Sequence, residues 1–297
     1  MRFRKDIEAN YKAVFLDNGK TIRFKLDNNK PFGKLTVPEI EDVAINDKCY
    51  ANCSYCYTSA TNKGSNFTNI LDKAKEVWGN QPLFNRPFQI AIGGAGESTI
   101  HPQWCDFVKY VHGLQIVPNY TTNGMHLKEE ILNCTEKYCG GVALSWHPHI
   151  EKVFHEAANK LKTVKTRLNF HIIVGDEQSL FDLQRLYDQY KDIVEYFVIL
   201  PYQNAGRAKK IATENVWKQC FNWIGTVKEN KFAFGALFYG FLQKNNVNLD
   251  MAIYEPEVFS GYRMLNDNYK TVYKSSYDLT PKDSNEKIIH LPTASFN

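Results

Sequence analysis

No run of apolar residues in this sequence approaches the length of a membrane span. The opening MRFRKDIEANYK holds no apolar stretch, so it does not read as a secretory signal. Lys and Arg form no long block, and a net charge of +4 permits an anionic partner without pointing to nucleic acid. Low-complexity tracts are absent. Cysteine is scarce and odd in number: seven residues, three of them within one short loop and the last at Cys220. That count argues against a disulfide framework and for a reducing cytoplasm as the compartment.

What is present is a rhythm. At 297 residues the chain suits one large domain, and α/β barrels commonly run this long. Residues 12–26 read as a hairpin turning at Asp17-Asn18-Gly19, and 28–33 as a polar linker. Strand–loop–helix units follow. Strands are expected at 41–45, 88–92, 115–121, 141–145, 168–174 and 196–200. Helical spacing of apolar residues marks 69–78, a stretch opened by Pro102, then 127–139, 179–190 and 214–228. Six such units predict an α/β fold: a partial (β/α)6 TIM-like barrel with an N-terminal β-hairpin and a C-terminal α/β extension. The expected boundaries are 1–34, 35–230 and 231–297, the last segment covering the barrel mouth. Within it, 262–265 and 269–273 read as a second hairpin, and residues from about 282 as loosely ordered. In such folds the loops after the strands form the active face.

The loop after the first of these strands carries Cys49, Cys53 and Cys56 in C-x3-C-x2-C spacing. A structural zinc site closes four ligands and usually pairs two C-x2-C units, yet no second pair follows. Three thiolates suit a four-iron cluster with one iron left open. An open iron binds a small molecule, which turns an electron carrier into a catalytic centre. Two readings stand at this point: a catalytic cluster, or a non-catalytic zinc or iron–sulfur binding module.

With Tyr55 just before the last cysteine, the spacing resembles the signature of the radical SAM superfamily. Gly93-Gly94-Ala95-Gly96-Glu97-Ser98-Thr99-Ile100-His101-Pro102, after the second strand, is similar to that superfamily's GGxGEPTxHP segment, with Ser98 where proline is common. Thr122-Asn123-Gly124 is similar to its T-N-G. Alone, such glycine or Asn-Gly clusters are tight turns, but a structural zinc site has no need of Glu97 beside them. The resemblance covers about residues 37–210. It implies a [4Fe-4S] cluster on Cys49, Cys53 and Cys56, with S-adenosyl-L-methionine (SAM) chelated by the open iron. Reductive cleavage would yield a 5′-deoxyadenosyl radical that takes hydrogen from a substrate, with flavodoxin or ferredoxin as reductant. It further implies that Gly93, Gly94, Gly96 and Glu97 hold the methionine ammonium, that Tyr55 packs on adenine, and that Asn123 edges the pocket. Ser145 would bond the ribose or the methionine carboxylate.

Asn169 and His171 alternate on the fifth strand and share one face, the inward face aiming them at the cofactor; a lone strand histidine is equally at home in a core. Tyr57, Tyr120, Trp146 and Tyr202 lie near strand ends, as cavity walls or barrel packing. Gly206-Arg207-Ala208 resembles the GRA segment of peptide- and protein-modifying members. Arg207 there is a bidentate carboxylate ligand or a solvated loop charge. The substrate reading leans to a peptide or protein, with a nucleoside or nucleotide as the competitor. Peptide-modifying relatives often carry a cysteine-rich C-terminal region, which is missing here. Cys134 and Cys139 read as buried thiols.

Overall fold

Alternation along the strands sets the architecture. In the computed structural model, which describes residues 1–229, 231–245, 259–266 and 269–281, the strand Arg167–Val174 buries every second residue. In the chain order that follows, β1 is Arg2–Asp6, β2 Tyr11–Phe15, β3 Thr21–Lys25 and β4 Ile40–Ala44. Helix α1 (Ile70–Ala74) runs on into a π-turn over Lys75–Gly79. Then come β5 (Gln89–Ile92), α2 (Trp104–Gly113), β6 (Val117–Thr122), α3 (Glu129–Tyr138), β7 (Gly141–Ser145), α4 (Glu151–Leu161), β8 (Arg167–Val174) and α5 (Glu177–Tyr190). The series closes with β9 (Tyr196–Pro201), α6 (Glu214–Thr226), β10 (Phe232–Phe234), α7 (Phe238–Lys244) and β11 (Ser260–Met264).

Eight strands form one parallel sheet in the order β10-β9-β8-β7-β6-β5-β4-β11, an open, curled half-barrel. On β8, Leu168, Phe170, Ile172 and Val174 are buried, while Asn169, His171 and Ile173 keep partial exposure on the opposite, inner face. The buried set meets the apolar stripes of the helices: Phe154 of α4 packs edge-on against Phe170 at 4.7 Å, and Phe170 against Phe197 at 5.8 Å. Side chains of this size each contribute about 1.5–3 kcal/mol on burial.

All six expected strands form, with ends shifted by one or two residues. Helix α4 is an addition: Phe154, Ala157, Ala158 and Leu161 make its buried stripe, at i, i+3, i+4 and i+7. Strands β10 and β11 are additions too. The expected hairpin at 262–273 is corrected in part. Residues 260–264 pair in parallel with β4, and only Tyr262 and Tyr273 pair antiparallel, exchanging N–H···O bonds of 2.9 and 2.7 Å. The turn at 267–268 and the segment from 282 onward lie outside the described residues.

The N-terminal hairpin gains a third strand, β1, giving an antiparallel sheet β1-β2-β3. This sheet lies across the N-terminal ends of the barrel strands. Arg4 donates to the carbonyls of Val37 (2.8 Å), Pro38 and Arg86, and its guanidinium sits 4.4 Å from the Phe88 ring centroid. Tyr11 donates to the fully buried Glu39 at 2.5 Å, and Arg23 grips the same carboxylate at 2.6 Å.

Candidate functional site

The three cysteines lie on the loop after β4, and this loop makes few regular backbone bonds of its own. Cys49 N–H donates to Thr61 O at 2.9 Å and Cys56 N–H to Cys53 O at 3.3 Å. Loops from four other strands hold it in place. From the loop after β5, Glu97 N–H donates to Lys48 O at 2.8 Å. A Cβ on Gly96 would stand 2.6 Å from that same oxygen, so the approach admits glycine alone. From the loop after β6, Asn123 Nδ2 points at Cys49 Sγ at 3.6 Å. From the loop after β7, His149 Nε2 donates to Ala51 O at 2.8 Å, and His147 Nδ1 lies 2.9 Å from Tyr55 Oη and 3.6 Å from Cys53 Sγ.

The loop after β9 supplies the strongest clasp. Gly206 adopts φ +59°, and a Cβ there would fall 2.3 Å from Tyr57 O. This close pass lets Arg207 N–H reach Cys56 O at 3.0 Å, while its guanidinium donates to Cys53 O (3.0 and 3.1 Å) and Ala60 O (2.8 Å). Arg207 is therefore neither a solvated charge nor a ligand for a carboxylate: its donors are spent on the cysteine loop.

Glu97 is a buried hub. Its Oε1 accepts from Thr99 N–H (3.3 Å), Thr99 Oγ1 (2.6 Å) and Thr122 Oγ1 (2.8 Å), and its Oε2 from Asn123 N–H (2.7 Å). Its carboxylate thus joins the loops after β5 and β6, with Gly93 and Gly94 leading into the first of them. Tyr57 donates to Gly94 O at 2.7 Å.

Electrostatically, the thiols resist ionisation in the bare protein. Burial, then the neighbouring charges of Cys49 and Cys56, push Cys53 up to about 12, and burial raises Cys49 as well. All three are free cysteines. Three sulfurs gathered on one loop, whose ionisation burial opposes despite the nearby Arg207, fit a group that carries its own positive charge among them. Among the described residues, no three His, Cys, Asp or Glu side chains converge on a point that suits a single metal ion. Burial and the charge of His149 hold His147 near 4, as a neutral ring.

The remaining expected residues divide. Tyr55 lines a cleft of about 130 Å³ with Pro148, Ile173, Gly175 and Tyr202. Ser145 and His171 are register partners near the ends of β7 and β8. Burial alone lowers His171 to about 4. Asn169 accepts the Tyr196 N–H at 3.1 Å and so braces β9. Tyr120 is core, not mouth: it bonds Thr135 at 2.8 Å and packs on Trp104. Trp146 is buried and donates to Asp182 at 3.0 Å. Cys134 is corrected from a buried thiol to a disulfide with Cys105, joining α3 to α2; Cys139 is free, its thiol raised by burial.

Two residues were missed. His147 announces itself only as part of Trp146-His147-Pro148-His149 after a strand. Asp42 is the second of two adjacent carboxylates, after Glu41, in the short strand leading to the cysteines. It lies on the inner face of β4, where burial raises its carboxyl to about 6.

Neither a protein-family profile nor a curated protein sequence matches the chain. Solved structures share its fold. Streptococcus suis SuiB bound to precursor peptide SuiA superposes with a TM-score of 0.60 at 14% identity, over 81% of this chain and 60% of SuiB. SuiB bound to S-adenosylmethionine gives 0.58 at 15% identity, over 81% and 61%. Native anSMEcpe with bound AdoMet and Cp18Cys peptide gives 0.54 at 14% identity, over 82% and 75%. The shared region spans about three-fifths of SuiB. No helix among the described residues is long and apolar enough to cross a membrane.

Proposed function

We propose that this chain is a radical SAM enzyme. The observation that carries the reading is the convergence of loops from β5, β6, β7 and β9 on one loop with three free cysteines. Cys49, Cys53 and Cys56 would hold a [4Fe-4S] cluster. When bound and reduced by flavodoxin or ferredoxin, that cluster supplies the electron for cleavage of S-adenosylmethionine to a 5′-deoxyadenosyl radical. The chain's own residues do the rest. Arg207, His149 and Gly96 fix the loop backbone so that the sulfurs keep one geometry. Glu97 and Asn123 set the glycine loop beside Cys49, where Gly93 and Gly94 offer backbone to a methionine ammonium. Tyr55 and its cleft suit a purine, and Ser145 and His171 line the inner wall.

For the substrate, a peptide or protein is the reading we favour. The support is that two structures sharing the fold hold peptides. The test is anaerobic reconstitution with iron and sulfide, reduction with S-adenosylmethionine present, and chromatography for 5′-deoxyadenosine. Its formation by the intact chain, but not by a Cys49/Cys53/Cys56→Ala variant, is the expected result. A cluster that leaves S-adenosylmethionine uncleaved, with and without peptide, or a protein that takes up zinc in place of iron, overturns it. Saturable binding of nucleotides and not peptides would remove the peptide assignment alone.

A further inference from the structure

Asp42, Tyr262 and Tyr277 take no part in holding the cysteine loop. The neighbour of Asp42 in sequence, Glu41, is paired: Arg263 Nε donates to Glu41 Oε2 at 2.9 Å, both side chains buried. Asp42 points to the other face and makes neither an ion pair nor a hydrogen bond with the described residues; burial is the one influence on its carboxyl. The register of β11 on β4 sets Tyr262 directly beside it, on the same face. Tyr57 and Tyr277 pack with centroids 4.5 Å apart. All three tyrosines lie within electrostatic reach of Asp42. The cluster adjoins the glycine loop, since a Cβ on Gly94 would stand 2.9 Å from Tyr262 Cε2.

A desolvated carboxylate with no partner is unfavourable by several kcal/mol, and the negative faces of aromatic rings do not relieve it. The same set of groups attracts a cation, through charge and through the ring quadrupoles. A proton relay is the poorer use, because Tyr57 already spends its hydroxyl on Gly94 O at 2.7 Å and lies 3.2 Å from Ser276 Oγ. We propose that Asp42, with Tyr57, Tyr262 and Tyr277, forms a cation subsite inside the barrel that takes an alkylammonium group. Its source is an amine such as a lysine side chain on the substrate, because the methionine ammonium of S-adenosylmethionine is assigned to the glycine loop. That the amine belongs to a substrate rests on the function proposed above; the subsite itself does not.

Calorimetric titration of the full chain tests the subsite. One arm uses N-acetyl-lysine methylamide, with its ε-acetylated form as neutral control, on protein with and without cluster. The other uses S-adenosylmethionine with cluster-loaded protein as a reference. Asp42→Asn is expected to weaken the lysine amide about tenfold or more and to leave S-adenosylmethionine binding unchanged. Tyr262→Leu should weaken the same cation, and Tyr262→Phe should restore it. Iron content and melting temperature should be kept in all three variants, with Asp42→Asn no less stable than the wild type. Equal affinities of wild type and Asp42→Asn for the lysine amide, or no binding of it by the wild type, overturns the subsite. Failure to form 5′-deoxyadenosine with the lysine arm intact would overturn the function and leave the subsite standing.

Discussion

Arg207 illustrates how far a residue's role depends on what approaches it. Its fork reaches two backbone carbonyls 154 and 147 residues earlier in the chain. Lysine carries a point charge on a flexible stem and cannot span both. Arg207→Lys should therefore lower iron uptake on reconstitution, while far-ultraviolet circular dichroism stays unchanged; full iron content would contradict the role. Glu97→Gln presents an amide N–H₂ to groups that are themselves donors. A loss of about 1–3 kcal/mol is expected in urea unfolding. The glycine–glutamate segment was legible because glycine and a carboxylate in that order have few other uses. The employment of Arg207 was not, because nothing in Gly206-Arg207-Ala208 says which backbone lies opposite. His147 was invisible for the same reason.

At the scale of elements, strands were easier to read than their neighbours. Period-two burial on β6, β8 and β9 is plain in the residues. Helix α4 carries an equally regular stripe, but its polar composition and the preceding Pro148 disguise it. Strands β10 and β11 are short, and their membership of the sheet is decided by which edge they reach. The disulfide between α2 and α3 closes a separation of 29 residues. Cys134→Ser should cost about 2–4 kcal/mol under oxidising conditions, and nothing in the presence of a reductant, with thiol alkylation and mass spectrometry as the check.

The two inner walls carry opposed pH liabilities. Asp42 is raised to about 6 from 3.8, so its stabilising contribution is complete below 3.8 and is lost as pH rises through 6. His171 is lowered to about 4 from 6.5, so its contribution is present above 6.5 and is lost as pH falls through 4. Between pH 6 and 4 the two offset. Removing one side by Asp42→Asn should make stability fall with acidification more steeply than in the wild type, by up to about 1.4 kcal/mol per pH unit. Parallel urea-derived stabilities across pH 6.0–4.5 would show the effect absent.

In the whole molecule, the small antiparallel sheet closes the end of the barrel remote from the cysteines. Phe15 stacks on Phe88 with centroids 5.2 Å apart, and Tyr11 and Arg23 neutralise a carboxylate with no exposed surface. A chain lacking residues 1–28 would lose both the Tyr11 and Arg23 partners of Glu39 and the aromatic packing on Phe88. It should expose apolar surface, read as dye binding and aggregation, and not persist as a trimmed but folded barrel.

The clasp on the cysteine loop also has a consequence in time. Cys53 leaves the ribosome 154 residues ahead of the arginine that fastens its backbone. At about 5–20 residues per second this is a wait of roughly 8–30 s, during which three thiols hang on an unsecured nascent segment. The cysteines reach their ordered places only after translation has passed β9, so the cluster proposed above would be loaded late, and thiol damage during synthesis is the hazard that slow translation or oxidising stress would enlarge.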